Sequence, residues 1–434
     1  MAAKLNPRVA QALLTALISG VVPRVGLNHI AVGRKKEVDA FLQDMTAVED
    51  GGSAFRFICG PYGSGKSFMI QMIRNNAIER DYVVLDADLS PDHNIIGGKG
   101  KGLATYRELV QNMAILSSPN GGALKSVLER WITLVRQEVS SAGLDSTSPA
   151  FSEAVRKRIQ EQLHALTELS YGAAFSHVMD AYWRGYCTEN EDLKQCALRW
   201  LRAEYATKTD AKKDLGVDRI IEDSNWYEFL KLFARFSTFA GYKGMLIFLD
   251  EGVNLYKITN KQTRNTNYEK ILTIFNDTMQ GKAAHIGFFL SGTPEFIYDD
   301  RRGLYSYEAL RSRLADNPFS SGSFSDLSSP VISLKPLTPE EIYLLLERLC
   351  NVHGTAHRYE NQISPEQLGQ FIVFISNRLG SQNNLSPREI TKSFLSLLNT
   401  LHENPEVSFE DFILENEVTI EKEKEDDPFF DFDI

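Results

Sequence analysis

The stretch RFICGPYGSGKSFMIQMIRNN, Arg56 to Asn76, constrains this chain more than any other. Within it, Gly60-Pro61-Tyr62-Gly63-Ser64-Gly65-Lys66-Ser67 fits the pattern G-x-x-x-x-G-K-[ST] at every fixed position. Phe55, Phe57, Ile58 and Cys59 before it read as a short buried strand, and Phe68, Met69, Met72 and Ile73 after it recur at helical spacing. In a strand, glycine-rich loop, helix sequence the glycines free the backbone amides to turn around a phosphate, and the helix N-terminus adds partial positive charge. Lys66 can then reach between the β and γ phosphates, and Ser67 can hold Mg²⁺. The pattern predicts ATP with Mg²⁺; the alternative is a Gly/Ser-rich turn with a solvated lysine.

A phosphate loop needs a partner that orders the metal and the attacking water. In KGMLIFLDEGVNLYKI, Met245 to Leu249 form an unbroken apolar run ending in Asp250-Glu251. Such a run suits a central parallel strand covered on both faces, and ligands in these sheets lie at the C-terminal edge. Asp250 is thereby placed for the magnesium hydration shell, and Glu251 to orient and polarise water for attack on the γ phosphate. The next apolar run, Ile286 to Leu290, gives way to Ser291, Gly292, Thr293 and Glu295. A polar side chain there can hold the attacking water, with Thr293 the first choice and Ser291 the second; an ordinary strand-end turn is the alternative.

Arginines come next. DDRRGLYSYEALRSRLADNPF reads as helix-like and carries Arg301, Arg302, Arg311 and Arg313. Arg313, with Arg311 as alternate, is the candidate to insert a positive fork into a neighbouring subunit's γ phosphate, which implies a homo-oligomer. Otherwise these side chains pair with Asp299, Glu308 or Asp316 on the surface. Farther on, Ser386 can cap a helix that starts with Pro387-Arg388, and Arg388 can reach back to the nucleotide and report its state, the alternative being simple surface exposure.

Taken in order, phosphate loop, Asp-Glu, polar strand end, arginine pair and Pro-Arg in a helical lid, the chain resembles AAA+ ATPases, particularly the branch of origin-binding ATPases. Val22-Pro23-Arg24-Val25-Gly26-Leu27, Val32-Gly33-Arg34, the Gly60 to Ser67 loop and Leu310-Arg311-Ser312-Arg313-Leu314 are together similar to the ATP-binding protein family of bacterial BREX phage-resistance operons. The resemblance covers residues about 20 to 115 and 226 to 395. It implies Gly33 and Arg34 near the adenine, and an ATPase that serves other defence-system subunits.

The expected fold class is therefore α/β: an AAA+ P-loop core with a parallel sheet, a large helical insertion and a C-terminal helical lid. The expected divisions are 1–116 (N-terminal helix and first part of the core), 117–225 (insertion), 226–337 (second part of the core), 338–420 (lid) and 421–434 (acidic aromatic tail). The insertion carries Arg156-Lys157-Arg158, Arg199, Arg202, Lys208, Lys212 and Lys213 among Trp183, Tyr186, Trp200 and Tyr205. A cationic, aromatic-lined surface suits nucleic acid, so double-stranded DNA is a possible partner; interleaved acids leave open solvated helices that contact a protein. YKITNKQTRNTNYEK, after Glu251, reads as a loop whose Lys257, Lys261, Arg264 and Lys270 can sense a ligand, or as a mobile polar surface loop. EVSFEDFILENEVTI reads as a closing strand pair or as the start of the tail.

Composition limits the other options. With 434 residues, two or three domains are expected, and 43% apolar content is that of a folded soluble protein. A formal charge of -10 argues against a surface built throughout for nucleic acid but permits a local basic groove. The four cysteines lack paired spacing, the histidines lack metal or nucleophile spacing, and no run of 18 apolar residues or signal pattern is found, so no membrane partner and a cytoplasmic location are expected. The function so read is ATP hydrolysis coupled to assembly with DNA or partner subunits. The alternative is a slowly hydrolysing nucleotide-gated switch or scaffold.

Overall fold

The computed structural model describes residues 5–315, 327–378 and 386–414, so Asp316 and the tail at 421–434 lie outside the described residues. In chain order the helices are α1 (Pro7–Ile18), α2 (Lys35–Glu49), α3 (Lys66–Glu79), α4 (Lys101–Gln111), α5 (Leu124–Ser141), α6 (Pro149–His164), α7 (Gly172–Cys187), α8 (Glu191–Leu201), α9 (Lys208–Leu215), α10 (Trp226–Phe239), α11 (Val253–Tyr256), α12 (Lys261–Met279), α13 (Pro294–Tyr298), α14 (Glu308–Leu314), α15 (Pro339–His357), α16 (Pro365–Arg378) and α17 (Pro387–Glu403). The strands are β1 (Ser53–Cys59), β2 (Val83–Asp88), β3 (Met245–Asp250), β4 (Ile286–Gly292) and β5 (Val331–Ser333). The chain forms two units, residues 39–59 with 73–332, and residues 1–38 with 60–72 and 333–434.

The first unit holds the sheet, ordered β2-β3-β4-β1-β5. β1 pairs in parallel with β4, β4 with β3, and β3 with β2. Parallel register brings the C-terminal ends of these strands to one edge, with Asp88 opposite Asp250 and Cys59 opposite Gly292. β3 is buried from Met245 to Leu249, which explains why its sequence is apolar without alternation. The α/β class with a parallel sheet is as the sequence predicts.

Helices α5 to α9 occupy the stretch expected as an insertion, and their apolar faces share one core with the sheet. α10 joins them: Trp131 meets Phe236, Phe175 meets Phe233 and Trp200 meets Phe229 edge-on, with ring centroids 5.1, 5.1 and 5.2 Å apart. Trp183, Trp200 and Tyr205 are buried in this core, so the expected aromatic-lined cationic surface is not there. The physical reason is area, since each large ring removes roughly 150–250 Å² from water when it faces inward. Several of the cations lie beside carboxylates, with Arg156 on Glu153 at 2.8 Å, Arg158 on Glu138 at 3.0 Å and Lys208 on Glu222 at 3.3 Å.

Two local readings also change. The stretch expected as a mobile loop after Glu251 is mostly helix, α11 and then α12, whose N-cap Asn260 accepts the amide of Thr263. Tyr268, Ile271, Ile274 and Phe275 supply a buried stripe along α12 that outweighs its polar start. In the arginine-rich stretch only Glu308–Leu314 is α-helical, because Asp299 accepts the amides of Arg301 and Arg302 and closes a turn there instead.

The second unit is helical. α1 packs on α15 and α17, and its Ala10, Leu13 and Leu14 share a core with Leu346, Leu349, Phe371, Phe394 and Leu398. α15 and α17 each begin with a capping box, Thr338 with Glu341 and Ser386 with Glu389, followed by proline in the first turn. Thr338→Ala removes one such box and is expected to cost about 1 kcal/mol, seen as a Tm lowered by a few degrees; an unchanged Tm contradicts it. Residues 409–414 are helical rather than a strand, capped by Ser408, whose hydroxyl accepts the amide of Asp411 at 3.1 Å. Among the described residues, no helix is long and apolar enough to cross a membrane.

Candidate active site

The phosphate loop follows β1 directly in the chain and belongs to the second unit. Gly63 and Gly65 sit at φ +77° and +96°, where a side chain would strain the backbone. A Cβ on Gly65 would meet nothing within 4 Å, so the loop's curve is left open at that point. Lys66 Nζ donates to the carbonyls of Gly60 and Pro61 at 2.8 and 2.9 Å, with its ammonium 5.4 Å from the centre of the Tyr62 ring. Ser64 is buried, and Ser67 lies half-buried in the first turn of α3.

Other expected nucleotide-binding residues gather around this loop within the same unit. Gly33, at φ +66°, leaves room for the Glu341 carboxylate, which a Cβ would overlap. Arg34 donates to Lys335 O at 2.7 Å and pairs with Glu37 at 3.6 Å; burial pushes its guanidinium below the usual range. A Cβ on Gly63 would stand 2.6 Å from Ser386 Oγ and 3.6 Å from Arg388 Cβ, so the N-terminus of α17 lies against the loop. The Arg388 guanidinium itself donates to Gly20 O at 2.6 Å.

The acidic residues lie at the sheet edge of the first unit. Asp250 Oδ1 accepts the Glu251 amide at 2.7 Å and also the Ser291 hydroxyl. Ser291 is fully buried on β4, the strand beside β3, whereas Thr293 lies beyond the strand end, immediately before α13. The Thr293 hydroxyl is buried with no partner among the described residues. Ser291 thus contacts Asp250 directly, because a residue within the strand stays in register with its neighbour on β3.

Glu251 has φ +58°, unusual for a residue with a side chain. Gly252 fixes this turn by donating to Ser291 O at 2.9 Å, in a space where a Cβ would come 2.5 Å from that same oxygen. Asn254 donates from its amide to Leu89 O at 2.7 Å, tying the exit of β3 to that of β2. Asp88 ends β2, and partial burial together with the carboxylates of Asp250, Glu108, Glu251 and Asp86 pushes its carboxyl up to about 6. The sequence reading passed over Gly252, Asn254 and Asp88. The apolar run of VVLDADLS ending in an acid was the one signal available, since it repeats the pattern of β3.

Arg311 and Arg313 stand apart from these residues on α14. Arg313 donates to Asn276 Oδ1 at 3.0 Å and Ala309 O at 2.7 Å, and Arg311 pairs with Asp300 at 3.2 Å. Both side chains are exposed.

Chemically, the loop offers turned amides and a lysine to a polyphosphate. Asp250 offers a carboxylate with one oxygen committed to two donors, which is the donor type a hard divalent cation takes. Among curated proteins, none matches the chain. The family model described as BREX system ATP-binding protein BrxC/D matches residues 5–417. The chain therefore belongs to that family and is an ATP-binding protein of a phage-defence system.

Proposed function

We propose that this chain hydrolyses ATP to ADP and phosphate, with nucleotide state governing its assembly with other defence-system subunits or DNA. Asp250 carries the reading: its carboxylate is fixed by the Ser291 hydroxyl and the Glu251 amide, while the acid after it is held in a turned-out backbone. The Gly60 to Ser67 amides and Lys66 take the phosphates. Ser67 and Asp250 would hold Mg²⁺, which when bound would neutralise phosphate charge. Glu251 accepts a proton from the attacking water and orients it, and Ser291 keeps Asp250 in place. Gly33 and Arg34 border the base, Arg388 reads the γ phosphate, and Thr293 stands by as a second polar group near the water. Arg313, or Arg311, serves the nucleotide of a neighbouring copy, a reading favoured by their exposure.

Phosphate release tests this. Wild type is expected to turn over ATP only with Mg²⁺, and Ser291→Ala to turn over about tenfold more slowly, as fits loss of one hydrogen bond to a charged group. Absent release by wild type would refute hydrolysis, and magnesium-independent release would refute the metal role given to Ser67 and Asp250. The second reading, a slowly hydrolysing switch, is supported by Arg388, whose guanidinium is occupied by a backbone carbonyl and would have to exchange it for a phosphate. Turnover that stays slow with DNA and partners present favours that reading.

A further inference from the structure

Several exposed helical cations pair with carboxylates, Arg156, Arg158, Arg184 and Lys208 among them. The junction of α11 and α12 instead gathers several cations without such a pair. Lys257, Lys261, Arg264, Arg301 and Arg302 converge there, and among the described residues none has an ion pair to a carboxylate. Their proximity follows from shared backbone acceptors. Arg264 donates to Ile258 O at 2.7 Å, and Arg302 donates to Tyr256 O at 3.1 Å and Ile258 O at 3.5 Å. Lys257 lies between those two carbonyls, Arg301 precedes Arg302, and Lys261 opens α12 one turn before Arg264.

Arg264 is only 5% exposed, and its Nε has no hydrogen-bond partner; the Nε of Arg302 also has none. A buried guanidinium without a carboxylate is costly, so its retention here favours a ligand that repays the cost. The neighbouring acid, Asp299, spends its oxygens on the amides of Arg301 and Arg302 and on the Tyr256 hydroxyl. Lys257, Lys261 and Arg301 are exposed above this base. One turn after Arg264, Asn267 Oδ1 accepts the amides of Ile95 and Ile96 at 3.0 Å each, which brings the loop through Gly97 and Gly98 beside α12.

We infer that the α11–α12 junction is a contact surface for the phosphate backbone of a nucleic acid. The inference rests on the reading that DNA is a partner, and it moves the contact from the helices at 117–225 to the sheet edge, where Glu251 begins the segment that leads into α11. In a chain of net charge -10, a compact unpaired cluster is also where a polyanion would be drawn.

The test uses the full chain with fluorescently labelled duplex and single-stranded DNA of one sequence, titrated over a range of salt with and without ATP. The Lys257→Gln/Lys261→Gln/Arg301→Gln variant is expected to bind at least about tenfold more weakly, and to flatten the salt dependence by about 0.9 in logarithmic slope per lost duplex contact. Arg156→Gln/Lys157→Gln on α6 is expected to bind as wild type, and all three proteins to share one Tm. Which strand form binds tighter identifies the source of the phosphates. The inference is overturned if wild type binds neither DNA at low salt, if the triple variant binds as wild type, or if the α6 variant weakens binding equally. ATP turnover without DNA, measured in parallel, separates this outcome from the hydrolysis reading: wild type that binds DNA without turning over ATP refutes hydrolysis and leaves the surface standing.

Discussion

Glu251→Gln is expected to lower ATP turnover by about 10²–10⁴-fold while leaving ATP binding within about twofold of wild type. The amide keeps the size of the carboxylate but cannot accept the water's proton, whereas the phosphate loop and Asp250 are untouched. Single-turnover phosphate release beside equilibrium binding of a fluorescent ATP analogue distinguishes the two effects. Equal loss in both would show that Glu251 holds the nucleotide rather than acting on water. The backbone offers a second check. A side chain at φ +58° costs about 1 kcal/mol, so Glu251→Gly is expected to retain or raise stability in urea while being equally inactive. A protein that gains stability when its acid is removed fits an acid retained for chemistry; one that loses several kcal/mol shows instead that the Glu251 side chain supports the fold.

Trp131→Ala is expected to cost about 3–5 kcal/mol. The ring is fully buried on α5, stacks edge-on with Phe236 of α10, and its indole N–H donates to Gln162 Oε1 at 2.7 Å. The truncation leaves a cavity and an unpaired amide at once. Because the helices at 117–225 share their core with the sheet, the loss should appear in the main unfolding transition of that unit, followed by tryptophan fluorescence and far-UV circular dichroism together. An early separate transition, with the sheet unchanged, would mean that these helices fold as an independent body.

Much of this architecture was legible in the sequence because a few local rules act without competition. β3 and β4 announce themselves by apolar runs with polar ends, and α15 and α17 by Ser/Thr-Pro with glutamate two residues after the proline. The phosphate loop could be read for the same reason, since Gly63 and Gly65 serve positive backbone angles. Where a residue's setting depends on which face it turns inward, the sequence was a poorer guide. Trp200 and Tyr205 lie among cations along the chain yet are buried, and Arg264 looks like a loop cation yet is almost wholly enclosed. Ser291 and Thr293 are two residues apart and differ only in whether the strand has already ended. The left-handed backbone of Glu251 leaves no trace in residue type, because glutamate is not a residue that such a conformation prefers.

The sharing of one core by α1 and helices from the far end of the chain sets a timetable. Leu13 and Leu14 leave the ribosome first, and Ile342, Leu346 and Phe394, which cover them, come some 330 to 380 residues later. At about 10 residues per second that is roughly half a minute of waiting. The phosphate loop belongs to this same late unit, and its neighbours Ser386 and Arg388 are made after the whole sheet. A half-made chain therefore has its sheet before it has a finished cradle for the nucleotide, so the ability to hold ATP is acquired only after the sheet has been made.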